Sequence, residues 1–398
     1  MIKIGEITLK QEGGQAKLCS TIEIDGMKYD LWFSVEARYG EFLTFERSDA
    51  FVVGLLPLAF KVRQNISFVT PMTDQLADQL EHDFIDVVCQ HQPELHHVTL
   101  VGPKARPLNK TVERIGTGVS CGVDSLFTIK RRLIDHAGEK FLLLNNQTDL
   151  DDFSDIRFDY LKRNARSFSN DSGIELIVSN SNYCGGVPGL CAEGCTTYCN
   201  LFSVLSLQKL FSRYFIASGG PIRDFNFYLQ NGMFGTDCSD YDLLTLSACS
   251  TSSCRFVVDG LEERVKKIQE LIDWPLAWNH LDVCFRHADG KDGNGTYDCP
   301  KCMHTIVEIL VAGGMSALEK FSAVFDVEYV KAHMEEYLAD LIRIRMQDTE
   351  YGNELWPLRK RVGFSYIDYL KAMVIVIRKA LRKVLRFGKV NKEFSPRG

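Results

Sequence analysis

The sequence predicts an α/β protein: a parallel sheet with helices on both faces, preceded by a small α+β module and followed by a helical region. Three observations carry this expectation. Apolar runs at 112–119, 141–145, 175–179 and 214–217 are separated by helix-length segments, the alternation of a parallel sheet. Short alternating runs crowd the first hundred residues, and from Met303 onward the apolar positions recur at helical spacing. With 398 residues, 45% of them hydrophobic and 25% charged, the chain has room for two or three domains and an ordinary globular composition. Disordered, collagenous and disulfide-stapled classes are thereby excluded.

The expected division is an α+β module over 1–108, an α/β domain over 109–312 and a helical region over 313–398. In the first, alternation marks strands at 2–4, 19–24 and 29–33, and helical spacing follows at 50–62 and 74–89. A further strand is expected at 98–101. In the second, a helix at 126–134 follows the first parallel strand, and a charged helix spans 262–273. The third is expected to break at Gly313-Gly314 and again over 352–357. It ends in a basic amphipathic helix over 369–387, with Met373, Ile377, Leu381, Val384 and Leu385 as apolar positions.

Charge separates the body from that helix. Residues 371–398 hold nine Lys/Arg and one Glu, a balance of +8, whereas the whole chain is at −6, leaving −14 elsewhere. The body is therefore no general polyanion binder, and nucleic acid is not favoured as its partner. A protein, tRNA or an anionic membrane surface would be met by the C-terminal helix. The cysteines number thirteen, the first residues lack a basic stretch followed by an apolar core, and the run at 372–377 is far short of a spanning helix. A reducing, cytoplasmic setting with packed or metal-binding thiols, and no transmembrane segment, is expected.

Two segments carry chemistry. Gly116-Thr117-Gly118-Val119-Ser120-Cys121-Gly122-Val123-Asp124-Ser125 joins an apolar strand to a helix. Small residues there let successive N–H groups converge, and the helix N-terminus adds partial positive charge, a nest for phosphate or pyrophosphate. Ser120 and Ser125 add hydroxyls, and Asp124 can hold Mg²⁺. The same residues fit Gly-x-Ser-x-Gly, a serine hydrolase elbow with Ser120 as nucleophile. They also fit a plain strand–helix turn capped by Asp124 and Ser125. Farther on, Cys284-x-x-His287 and Cys299-x-x-Cys302 are two short-spaced pairs of the kind tetrahedral Zn²⁺ takes in a closed structural site, with His304 as another fourth ligand. Buried thiols beside surface histidines are the plainer alternative.

The order Ser120-x-Gly122-x-Asp124-Ser125 resembles the signature of the PP-loop ATP pyrophosphatase superfamily, with Cys121 in place of its usual first glycine. The segment 284–305 resembles the cysteine cluster of the branch that includes cyano-deazaguanine synthase, with Thr296 where one cysteine is expected and His304 where an arginine is usual. Asp259-Gly260 and Arg264-x-x-Lys267 resemble the stretch that precedes this cluster. The resemblance covers about half of the chain, residues 110–312. It implies ATP as substrate with Mg²⁺, and structural Zn²⁺ on Cys284, His287, Cys299 and Cys302. Gly118, Ser120, Gly122, Val123, Asp124 and Ser125 would seat the phosphates, with Asn145 and Asn146 near adenine and Arg264 and Lys267 on the phosphates. The implied reaction is AMP- and pyrophosphate-forming activation of a carboxylate or carbonyl substrate, deazapurine-like in this branch, followed by attack of an amine or ammonia. Some members belong to antiphage defence systems, where a protein co-substrate is implied. A degenerate scaffold that binds nucleotide without turnover is the alternative that Cys121 and Thr296 raise. Cys184, Cys191, Cys195 and Cys199 form a further cluster, read as small buried helix residues, a substrate-facing thiol or a second metal site.

Overall fold

The computed structural model describes residues 1–93, 95–109, 113–146, 154–190, 196–225, 241–284, 294, 299–347 and 349–393, the last dozen by backbone alone. The chain forms two compact units, one of residues 1–120 and 124–262, the other of residues 121–123 and 263–398.

The first unit is built on thirteen strands: β1 (Ile2–Ile4), β2 (Thr8–Glu12), β3 (Gln15–Ile24), β4 (Met27–Glu36), β5 (Ile66–Phe68), β6 (Met72–Thr73), β7 (Leu100–Val101), β8 (Lys104–Ala105), β9 (Arg114–Gly118), β10 (Glu139–Asn146), β11 (Glu175–Ser181), β12 (Arg213–Ala217) and β13 (Arg255–Asp259). Eleven join one sheet in the order β13-β12-β9-β10-β11-β4-β3-β1-β5-β7, with β2 added on β3, while β6 and β8 pair separately. From β13 to β11 every pairing is parallel. The antiparallel part begins where β4 pairs with β11 and continues through β3, β2 and β1. The expected α/β sheet is therefore present, and the N-terminal strands extend the same sheet.

Burial follows the sequence pattern. In β3 the even residues Ala16, Leu18, Ser20 and Ile22 are buried while their neighbours face outward, the period of a strand with one covered face. β10 has four consecutive buried residues, Phe141–Leu144, as befits a strand covered on both faces. Helix Asp49–Val62 is buried along nearly its whole length. It meets helix Thr196–Ser206 through Phe51 and Phe202, whose rings cross edge-on at 5.4 Å, and Tyr183 donates to Gly54 O at 2.6 Å. Gly116 is a packing glycine: a Cβ there would lie 2.3 Å from the Phe211 ring, which is itself fully buried.

Several expectations are corrected. β2 and β13 escaped the periodicity reading, and the helix expected at 74–89 is Asp74–Gln79 and Asp86–His91 around a π-turn at Leu80–Ile85. In the second unit, the break at Gly313-Gly314 exists as a kink at Gly314, φ +73°, inside helix Pro300–Lys320. The break expected over 352–357 does not: helix Glu350–Leu358 covers it, started by Thr349, whose hydroxyl accepts from Gly352 N at 3.1 Å. The basic helix runs over Tyr366–Glu393 and packs on helix Met334–Met346, where Ala372 joins Leu338, Ala339 and Ile342 in one apolar cluster. Among the described residues only helix Pro300–Lys320 is long and apolar enough to cross a membrane, and 67% of that stretch is buried in the protein. Among the described residues nine cysteines are free thiols, and Cys184 is disulfide-bonded; Cys191 and Cys195 lie outside the described residues.

Candidate functional site

The chain visits β9, β10 and β11 in one direction across the sheet, then returns to place β12 and β13 on the other side of β9. Connections leave β9 and β12 in opposite directions, so their carboxyl ends flank the topological switch point where open α/β sheets bind ligands. The glycine turn 118–123 emerges from β9 at that point.

The turn is closed from within. Ser125, buried on the first turn of helix Val123–Arg132, donates its hydroxyl to Gly118 O at 3.0 Å and accepts from Ser120 N–H at 3.2 Å. Its hydroxyl therefore shapes the loop. Ser120 is exposed, and Gly118, Gly122 and Asp124 are partly exposed at the rim. Thr117 Oγ1 donates to Phe215 O at 2.8 Å and ties β9 to β12, while Val119 N donates to Leu143 O of β10 at 3.1 Å. The other end of the helix is anchored by Arg132, whose Nε lies 2.5 Å from the buried Asp259 carboxylate at the end of β13. With both ends fixed, the helix N-terminus is aimed at whatever lies over the strand ends.

Cys121 takes φ +57°, the left-handed region that glycine adopts most cheaply. The backbone thus keeps the conformation of a glycine turn even though the residue is cysteine. Burial pushes the Cys121 thiol up, aided by the Asp282 carboxylate, so it is no nucleophile at neutral pH. The strained position is Cys121 and not Ser120, whereas a nucleophile elbow places the serine itself on the strained turn.

Next to the turn, across β12, a cavity of about 340 Å³ opens over the carboxyl ends of β12 and β13. Ser218, Gly219, Gly220, Asp224 and Asp242 contribute its polar lining. Ser218 Oγ donates to Gly220 O at 2.7 Å, folding the Ser-Gly-Gly turn back on itself. Sequence reading stopped at the strand 214–217 and missed this second turn. The signal was present as Ser218-Gly219-Gly220-Pro221 after an apolar run.

Asn145 and Asn146 lie at the carboxyl end of β10, beside β9. Asn145 accepts from Ser179 Oγ at 2.6 Å and donates to Asn200 at 3.3 Å, and Asn146 donates to Asn180 Oδ1 at 3.1 Å. Their amides form a polar row across the strand ends.

In the second unit, Cys284, Cys299 and Cys302 bring their sulfurs within 4.8 Å of one another, all three buried. Tetrahedral zinc at about 2.3 Å from each thiolate needs sulfurs about 3.8 Å apart, so small adjustments complete the geometry. Cys299 precedes helix Pro300–Lys320 and Cys302 sits in its first turn, where the helix dipole favours thiolate. Burial, together with Cys284 and Cys299, pushes the Cys302 thiol far up. Three such thiols in contact are what a soft cation relieves. His287 lies outside the described residues. His304 has its Nε2 3.6 Å from the Glu308 carboxylate and is not one of the clustered donors.

Asn294 was not singled out by its spacing, yet it holds the first ligand in place. Its side chain donates to Leu281 O at 2.7 Å and accepts from the Val283 and Cys284 N–H groups at 2.9 and 3.2 Å. Replacing Asn294 by Ala removes all three bonds, and zinc affinity is expected to fall about 10–100-fold, as for other residues that orient a ligand. Competition with a chromophoric chelator measures it; unchanged affinity would remove Asn294 from the site.

Arg264 Nε lies 3.0 Å from the fully buried Glu308, and its Nη2 donates to Thr305 at 3.3 Å. Lys267 is fully buried on the same helix, Arg264–Leu271. Lys267 is therefore interior, whereas Arg264 is partly exposed and is tied to the cysteine helix through Glu308 and Thr305.

The parallel core, its strand order and the helix-capped turn are consistent with the Rossmann-like, HUP-type class of α/β folds. Comparison with protein-family models, characterised proteins and solved structures finds no match for the chain.

Proposed function

We propose that the protein is an ATP-dependent, AMP- and pyrophosphate-forming ligase of the PP-loop type. The observation that carries this reading is the internally stapled turn 118–125 at the switch point of the parallel sheet, with Asp124 at its rim and a cavity beside it.

The backbone N–H groups of 121–123, at the helix N-terminus, receive the β- and γ-phosphates of ATP, while the Ser120 N–H stays on Ser125. Asp124 would hold Mg²⁺, which would supply charge neutralisation at the phosphates. A substrate carboxylate oxygen attacks the α-phosphorus; the bond to the bridging oxygen breaks and pyrophosphate leaves. An amine then attacks the acyl carbon of the adenylate, AMP departs, and the amine loses a proton. The protein supplies no nucleophile: it positions the groups and matches their charge. In this reading Asn145 and Asn146 border the adenine and the cavity at Ser218–Gly220 takes the acceptor, supported by their positions at the strand ends. The thiol cluster holds a structural zinc in this reading and takes no part in the steps. A deazapurine-like carboxylate and a protein or ammonia co-substrate are the partners implied by the resemblance to the cyano-deazaguanine synthase branch.

The identity of the nucleotide products tests this. With ATP, Mg²⁺ and a panel of carboxylates and amines, the products are expected to be AMP and pyrophosphate. Turnover to ADP and phosphate would contradict the proposal.

A further inference from the structure

Helix Tyr366–Glu393 carries a second apolar face that the protein leaves uncovered. Tyr366, Ile367, Leu370, Met373, Val374, Ile377 and Leu381 are all exposed, from 46% at Met373 to 77% at Tyr366. At 100° per residue they form one continuous stripe about 120° wide along some four turns. The opposite side of the helix is the one that packs, through Ala372 and its neighbours Tyr369, Ile375 and Val376. Scattered exposed apolar residues need no explanation, but seven large ones on one face do.

Charge indicates what covers the stripe. Lys371 and Arg378 border it along one edge, and the sequence continues with Arg382, Lys383, Arg386, Lys389 and Lys392. Against these the helix has only Asp368 and Glu393. A second copy of the helix laid antiparallel on the stripe would set Lys371 against Arg378, like charges along the seam. An apolar stripe of some four turns flanked by long basic side chains suits a surface that is apolar beneath and anionic above, since Lys and Arg can extend to the headgroups while their stems lie on the acyl boundary. The acidic remainder of the chain leaves this helix as the region of attraction.

We propose that helix Tyr366–Glu393 binds in the plane of an anionic lipid bilayer through the stripe Ile367–Leu381 and its basic flank. This differs from a membrane-spanning role. It is also independent of the ligase reading.

The test uses the full-length protein with vesicles of phosphatidylcholine, alone or with about 30% phosphatidylglycerol. Co-sedimentation is expected with the anionic vesicles only, weakened as salt is raised from about 0.1 to about 0.5 M. The double substitutions Ile377→Asp with Leu381→Asp, and Lys371→Glu with Arg378→Glu, are each expected to lower binding at least about 10-fold. All four residues are outside the core, and circular dichroism checks that the fold is kept. Binding to neither vesicle, equal binding to both, or binding unchanged in the apolar double variant overturns the proposal. A concentration-dependent dimer abolished by Ile377→Asp, without vesicle binding, would assign the stripe to a second copy instead.

Discussion

Replacing Asp124 by Ala is expected to lower AMP formation by at least about 100-fold while leaving the fold intact. The magnitude is that of removing one preorganised charge-stabilising group from an active site. Asp124 is partly exposed on the first turn of helix Val123–Arg132, and that helix is held by Arg132 and by the Ser125 staple, neither of which the substitution touches. The loss should therefore fall on turnover and not on the melting temperature. Measured release of pyrophosphate and a thermal melt on the same preparation separate the two. A variant that melts normally and still turns over ATP at the wild-type rate would remove Asp124 from the chemistry.

Replacing Cys302 by Ser is expected to take the zinc content from about one per chain to near zero, read by mass spectrometry. Structural zinc contributes about 10–16 kcal/mol of apparent binding free energy in small peptides. Even a loss of about 3 kcal/mol would lower the melting temperature by about 6–12 °C. Titration distinguishes the two states of the site. Without metal, burial and crowding hold the Cys302 thiol above its ordinary value of 9.0. That contribution to stability is present below pH 9 and is lost on raising the pH. With zinc bound, the sulfurs are thiolates, and stability is lost as the pH falls and protons displace the metal. A metal-replete protein whose stability is insensitive to acid and to Cys302→Ser would contradict a zinc role.

Much of the fold was legible because the signals were local. The apolar runs that became β9, β10, β11 and β12 are separated by helix-length segments, so their alternation with helices sufficed. β13 escaped because only Phe256–Val258 is apolar between the charged Arg255 and Asp259, and its pairing with β12 is not visible in the sequence. The pairing of β4 with β11 joins residues far apart in sequence, and no periodicity reports such a contact. At 352–357, Gly352 and Pro357 read as breakers. Yet Pro357 stands in the last turn, and Thr349 caps the start, so neither interrupts the helix.

The candidate site was legible to the extent that its chemistry is spaced along the chain. Cys299-x-x-Cys302 announced two sulfurs on one knuckle, and Cys284 did meet them. Its holder Asn294 was not legible, because an asparagine in a Gly- and Asp-rich loop looks like a turn residue until its three bonds are seen. The turn 118–125 was visible as a motif, but the role of Ser125 within it depends on a contact back to Gly118. The strain at Cys121 was foreseeable: a cysteine at a glycine position must either change the loop or adopt positive φ, and it adopts positive φ.

If turn 118–125 seats the pyrophosphate end of ATP, equilibrium binding of ATP with Mg²⁺ to the wild-type protein must be competed by pyrophosphate. One ATP per chain is expected, displaced by pyrophosphate and weakened at least about 10-fold in Asp124→Ala. Absence of ATP binding by the folded, metal-replete protein, or binding indifferent to both pyrophosphate and Asp124→Ala, would contradict it.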